Sequence, residues 1–186
     1  MHSLKASTSL GGASAASETI GAMTITEVPF TALASVAARL GGEAHTAEMV
    51  KTFSGSDAPG VNKLTTSGDL VCFWTGADQW MIAAPMETHE EMASELAKLA
   101  DGNASVTEQS GGWAQFDVSG ENINEMFERL CALPIRNMGK GDANRTRIEQ
   151  IGCFVLHHGD RVSIFGPRAS AGSLYHALTA VAQSIA

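Results

Sequence analysis

The sequence predicts an α+β fold, an antiparallel sheet with helices covering one face, on three observations. Trp113-Ala-Gln-Phe-Asp-Val-Ser119 alternates Ala114, Phe116 and Val118 with Trp113, Gln115 and Asp117, the two-residue period of a half-buried strand. Ile123, Met126, Phe127 and Leu130 then recur at i, i+3, i+4 and i+7, so residues 121–132 form an amphipathic helix. Residues 79–157 as a whole read β-α-β-β-α-β, the split, ferredoxin-like order in which two crossover helices cover one antiparallel sheet.

The elements follow in chain order. Residues 1–23, rich in Ala, Ser, Thr and Gly, form a flexible N-terminal tail, and 24–186 form a single α+β domain. The tail has no charged start followed by an apolar block, so it does not read as a secretory signal. Ile25 to Val28 read as a short strand, and after Pro29 a helix carries Leu33, Val36, Ala37 and Leu40 on one face, stopped by Gly41-Gly42. Residues 43–68 lack periodicity and read as a loop or a pair of short elements.

Leu70–Trp74 and Trp80–Ala84 form a hairpin around Thr75-Gly-Ala-Asp-Gln79, closed by Pro85. Thr88 and Glu91 make a capping box for a helix over about residues 88–100, with Met92, Leu96 and Leu99 inward. Strands follow near 104–108 and 113–118. Beyond the 121–132 helix lie strands near 146–150, 152–157 and 160–166 and a last helix carrying Leu174, Tyr175, Leu178, Val181, Ala182 and Ile185.

Composition narrows the function. A hydrophobic content of 44% in 186 residues supports a real core, and a net charge of −8 excludes a general nucleic-acid binder. No apolar run approaches the length of about 20 residues that spans a bilayer. Cys72, Cys131 and Cys153 lie inside apolar elements and read as free thiols of a reducing cytoplasm.

Candidate chemistry is sparse. His157 and His158 are adjacent in a strand and point to opposite faces, one buried and one exposed, so they cannot chelate one ion. His2, His45, His89 and His176 have no partner at metal-ligand spacing. The Gly139-Lys-Gly-Asp142 loop lacks the Ser or Thr after Lys140 that a P-loop needs, and reads as an exposed connector. No Gly-x-Ser-x-Gly elbow is present. Arg145 and Arg147 suit carboxylates of a partner or simply a solvated strand end. Trp74, Trp80 and Trp113 read as core or interface anchors.

Asp117 is the carboxylate that stands out, at a strand end beside a helix entrance. It could hold the amino groups of a ligand or hydrogen-bond the backbone of the turn.

The segments Trp74-Thr-Gly-Ala-Asp-Gln-Trp-Met-Ile-Ala83, Trp113-Ala-Gln-Phe-Asp-Val-Ser-Gly120, Asn144-Arg-Thr146 and Pro167-Arg-Ala-Ser-Ala-Gly-Ser-Leu174 together resemble the gamma subunit of the heterotetrameric sarcosine oxidases. The resemblance covers about residues 65–186. That subunit family is similar to the folate-binding domain of the glycine cleavage system T-protein, whose Asp-x-Ser strand-to-helix passage matches Asp117-Val-Ser119. The resemblance implies a T-protein-like N-terminal fold and a complex that oxidatively demethylates sarcosine to glycine, giving formaldehyde or 5,10-methylenetetrahydrofolate and hydrogen peroxide. It further implies alpha, beta and delta subunits as partners, with FAD, FMN, NAD and tetrahydrofolate held by them. No catalytic, cofactor or metal residue is expected in this chain, and the alternative is a free-standing folate-binding protein with Asp117 on the pterin.

Overall fold

A computed structural model describes residues 5–186, so the first four residues of the expected tail, His2 among them, lie outside the described residues. Among the described residues, two antiparallel sheets and five α-helices make up the fold. Residues 24–186, read as one domain, fall into two compact units: the chain up to Pro29 with Gly112–Lys140 and Asn144–Ala186, and Phe30–Gly111 with Gly141–Ala143.

The first unit is built on a six-stranded sheet. Its strands are β1 (Ser17–Ile20), β2 (Met23–Val28), β8 (Trp113–Gly120), β9 (Asp142–Ile148), β10 (Ile151–His157) and β11 (Arg161–Pro167), in the order β1-β2-β8-β11-β10-β9. Helices α4 (Ile123–Leu130) and α5 (Ala171–Ile185) pack on one face. There Met126, Phe127, Leu174 and Leu178 meet Ile25, Phe116, Val118 and Ile164, all essentially buried. The period-two and period-3.6 patterns thus converge on one core, as the sequence reading expects for 113–118 and 121–132.

The second unit holds β3 (Thr31–Ala38), β4 (Leu64–Ser67), β5 (Leu70–Gly76), β6 (Gln79–Pro85) and β7 (Ala104–Glu108), ordered β4-β5-β6-β3-β7. Helices α1 (Glu43–Ser54) and α3 (Met92–Ala100) cover it, with the single turn α2 (Met86–His89) after β6. The expected hairpin forms, with Trp74 opposite Trp80, Gly76 opposite Gln79, and Asp78 at φ 53° in the turn.

Several expectations are corrected. The helix placed at Leu33–Leu40 is the strand β3, paired on both sides, to β6 and to β7. Ala32, Leu33 and Ala34 are buried in succession, followed by Val36, so both faces of β3 carry buried residues and the two-residue alternation is lost. Its helical spacing is accidental. Leu40, expected on the buried helix face, is fully exposed. The aperiodic 43–68 contains α1, whose buried stripe is Thr46, Met49, Val50 and Ser54; two hydroxyl residues in that stripe hide the period.

The capping box does not form. Thr88 Oγ1 donates to the Pro85 carbonyl at 3.3 Å and meets His89 Nδ1 at 2.8 Å, and neither α2 nor α3 has a side-chain cap. Leu99 is outward, 46% exposed, while Ala100 takes its place in the core. The split β-α-β-β-α-β order is present, but β6 and β7 belong to one sheet and β8, β9 and β10 to the other. The handover falls at the 3-10 turn Ser110–Gly112 between β7 and β8. The expected tail contains β1, paired in register to β2 from Ser17 opposite Thr26 to Ile20 opposite Met23.

Candidate functional site

Asp117 lies at the middle of β8, with Thr26 of β2 and Ser163 of β11 directly opposite on its two sides. Partners across a sheet project to the same face, so this row faces away from the α4 and α5 layer, whose face is carried by Phe116 and Val118. Polar residues at every second position of β8 (Gln115, Asp117, Ser119) meet polar residues at every second position of β11 (Arg161, Ser163). A polar stripe results.

Both oxygens of Asp117 are engaged within it. Ser163 Oγ donates to Oδ1 at 2.7 Å, Gln115 Nε2 donates to Oδ1 at 3.1 Å, and Arg161 Nε donates to Oδ2 at 3.1 Å. Ser163 Oγ also lies 3.0 Å from His158 Nε2. Because the hydroxyl proton is given to Asp117, the imidazole must donate to Ser163, which fixes the neutral tautomer with hydrogen on Nε2. Burial, reinforced by the Arg161 cation, holds the His158 pKa below its ordinary value against the pull of Asp117 and Asp160.

Serine, histidine and aspartate are therefore together, but in an order that does not make a nucleophile. Activation needs the hydroxyl to donate to histidine and histidine to be oriented by aspartate. Here serine sits between the two and is 1% exposed. The geometry suits a structural brace across β8, β11 and the turn after β10.

Beside the brace, where β8 hands over to α4, a polar cleft of about 330 Å³ is lined by Asn122, Asn124, Glu125, Arg136, His157 and Arg161 among others. The corner requires Gly120 at φ 107°, since a Cβ there would strike the Ala22 carbonyl. Asn122 follows at φ 63° with no side-chain cap on α4. The cations of the cleft are internally paired, Arg136 bidentately to Glu128 at 2.6 and 2.9 Å and Arg161 to Asp117.

The remaining candidates are placed apart by chemistry. His157 and His158 are both partly buried, where one buried and one exposed were expected; His157 Nδ1 accepts from Gly159 N at 3.1 Å. Among the described residues no group of three His, Cys, Asp or Glu could hold a metal. Arg145 lies over the Phe154 ring at 5.7 Å, and Trp113 packs on the same ring at 5.5 Å. Trp80 is buried with Nε1 donating to the Pro59 carbonyl at 2.8 Å. Cys72, Cys131 and Cys153 are free, and burial raises the Cys72 and Cys153 thiols, the latter to about 11, which suppresses thiolate chemistry. No helix among the described residues is long and apolar enough to cross a membrane.

Sequence reasoning found Asp117 but missed its partners Arg161 and Ser163, and His158 beyond Ser163. The signal was available in the matching polar alternation of β8 and β11, which only strand pairing makes meaningful.

No family model and no curated protein matches the chain. Among solved structures it is similar to a heterotetrameric sarcosine oxidase from Corynebacterium sp. U-96 in complex with pyrrole 2-carboxylate, at 19% identity over 90% of this chain and 87% of that chain, with a TM-score of 0.78. It is also similar to the glycine cleavage system aminomethyltransferase T from Bartonella henselae, at 14% identity over 82% of this chain, with a TM-score of 0.62. The match covers 44% of that aminomethyltransferase chain, so this chain spans under half its length. At these identities the likeness is one of fold: two antiparallel sheets with covering helices.

Proposed function

We propose that this chain is a non-catalytic, gamma-type subunit of a heterotetrameric sarcosine oxidase complex. The observation that carries this reading is the match in both directions to a chain of such an oxidase, over 90% of this chain and 87% of that one. The state of Asp117 supports it. Its two oxygens accept from Ser163, Gln115 and Arg161, which ties the residue that could engage a ligand into the sheet.

In this reading the alpha, beta and delta subunits hold FAD, FMN, NAD and tetrahydrofolate, and the assembly demethylates sarcosine oxidatively to glycine. This chain contributes packing surface. Expression alone should give no sarcosine-dependent peroxide, and co-expression with the three other subunits should give a complex that contains it. A chain that turns over sarcosine by itself would overturn the reading.

The likeness to an aminomethyltransferase favours one alternative, a free-standing folate-binding protein with Asp117 on the pterin. Calorimetry with tetrahydrofolate on the isolated chain separates the two. Binding that is lost in Asp117→Asn would favour the alternative, and no heat at millimolar ligand would favour the subunit.

A further inference from the structure

On β2, Met23, Ile25 and Glu27 point to the same face of the six-stranded sheet, the face that Phe116 and Val118 present from β8. Glu27 is 1% exposed in this otherwise apolar row. A buried carboxylate is costly unless its oxygens are satisfied.

The donors come from the segment that sequence composition marks as a tail. Ser9 Oγ donates to Oε1 at 2.5 Å, Leu10 N donates to Oε1 at 3.0 Å and Ala16 N donates to Oε2 at 3.2 Å. Burial alone would raise the Glu27 pKa, but these donors, with Thr8, outweigh it and hold the carboxyl below its ordinary value. The segment also closes on itself: Thr8 N donates to the Gly12 carbonyl at 2.9 Å, and Gly12 N donates to Thr8 Oγ1 at 3.1 Å. Thr8 is buried, and Leu10 packs against the core of the sheet.

Both ends are tied down as well. Arg168 Nη2 donates to the carbonyls of Ser7 and Thr8 at 3.0 and 3.1 Å, and the Tyr175 hydroxyl donates to Glu18 at 3.2 Å. Glu18, Tyr175 and Arg168 are the charged or titratable groups brought up by β1, α5 and the turn before α5, and none of them bonds the Glu27 carboxylate. Among the described residues its hydrogen-bond donors are neutral.

We propose that residues 7–20 are a strap, folded around the Glu27 carboxylate and released as a unit when that carboxylate is lost. Two helices cover the apolar face of a six-stranded sheet, and the strap, which includes β1, closes the β2 margin of that sheet, where Leu10 and Ile20 join the core. Its ordering depends on Glu27 and needs no partner chain. Release would bare that margin together with an unpaired carboxylate, so closed and open states are separated by a concerted loss of contacts.

Hydrogen exchange by mass spectrometry on the full chain at neutral pH tests this, comparing the protein with Glu27→Gln and Ser9→Ala. The strap predicts protected amides at Leu10, Gly12 and Ala16 in the unmodified protein. In Glu27→Gln they should exchange about tenfold faster or more, the factor set by losing hydrogen bonds to a charged acceptor, with α5 amides unchanged. Ser9→Ala should give the same pattern to a smaller extent, and it carries the test if Glu27→Gln fails to fold. Free-peptide exchange rates over 8–16 in the unmodified protein, or equal acceleration of strap and α5 amides in both variants, would overturn the proposal.

Discussion

Asp117 joins Gln115 on its own strand to Arg161 and Ser163 on the next, so its replacement is a stability experiment before it is a functional one. The ion pair with Arg161, 43% exposed, contributes little through charge alone. The larger loss is at Ser163, a buried donor left without its acceptor. Asp117→Ala should therefore destabilise the chain by about 1–2 kcal/mol in urea unfolding. In the assembled complex the same variant should leave the KM for sarcosine unchanged.

His158 gives a pH signature with a definite sign. Its folded-state pKa is held below the ordinary value of 6.5, so the folded chain binds fewer protons than the unfolded chain as pH falls from that value. The stability it contributes is full above 6.5 and is lost as pH drops toward the folded pKa. The urea midpoint should fall from pH 7 to pH 5, and His158→Gln, which keeps a donor to Ser163, should flatten that part of the slope. Glu27, also depressed, acts in a lower window: its stability is present above the ordinary carboxylate range and lost as pH falls through its own pKa. At this scale Asp117 was legible, because a lone acid in a strand that runs on into a helix is conspicuous, although it lies within β8 and not at its end. Its partners and Glu27 were not, because their roles depend on strands 44 and 46 residues away and on donors from an unstructured-looking segment.

Among elements, legibility followed the number of solvent-facing sides. Strand β8 and helices α4 and α5 each have one buried face and were readable from their periods. Strand β3 buries Ala32, Leu33 and Ala34 in succession and has apolar residues on both faces, so its Ala-rich sequence imitated a helix. That assignment can be checked: Val36→Pro removes a ladder donor from a strand flanked on both sides and should prevent folding or cost about 3 kcal/mol or more. A helix ending at Gly41-Gly42 would be broken too, but Leu40→Ser separates the two cases. In a helix it would strip a core residue; in the observed fold Leu40 is fully exposed and the urea midpoint should not move. The strap was illegible for a different reason. Small polar residues cannot build a core of their own, and nothing local shows that a distant carboxylate will collect their backbone amides.

At the scale of the molecule, two sheets with separate cores are strung on one chain, the second unit inserted after Pro29 of the first. The split order of strands and helices is present along the chain but is divided between two sheets, because element order does not encode which sheet a strand joins. The architecture is nonetheless shared with chains of a sarcosine oxidase and of an aminomethyltransferase. The oxidase chain is matched nearly end to end, and the aminomethyltransferase over less than half its length.

The proposed role as a subunit is tested by the mass and activity of what this chain purifies with. Affinity-tagged chain co-expressed with alpha, beta and delta subunits should elute as one complex containing all four, with sarcosine-dependent peroxide formation that is absent from the tagged chain alone. Recovery of the tagged chain as a free monomer, while the other three subunits assemble and turn over sarcosine fully without it, would contradict the account.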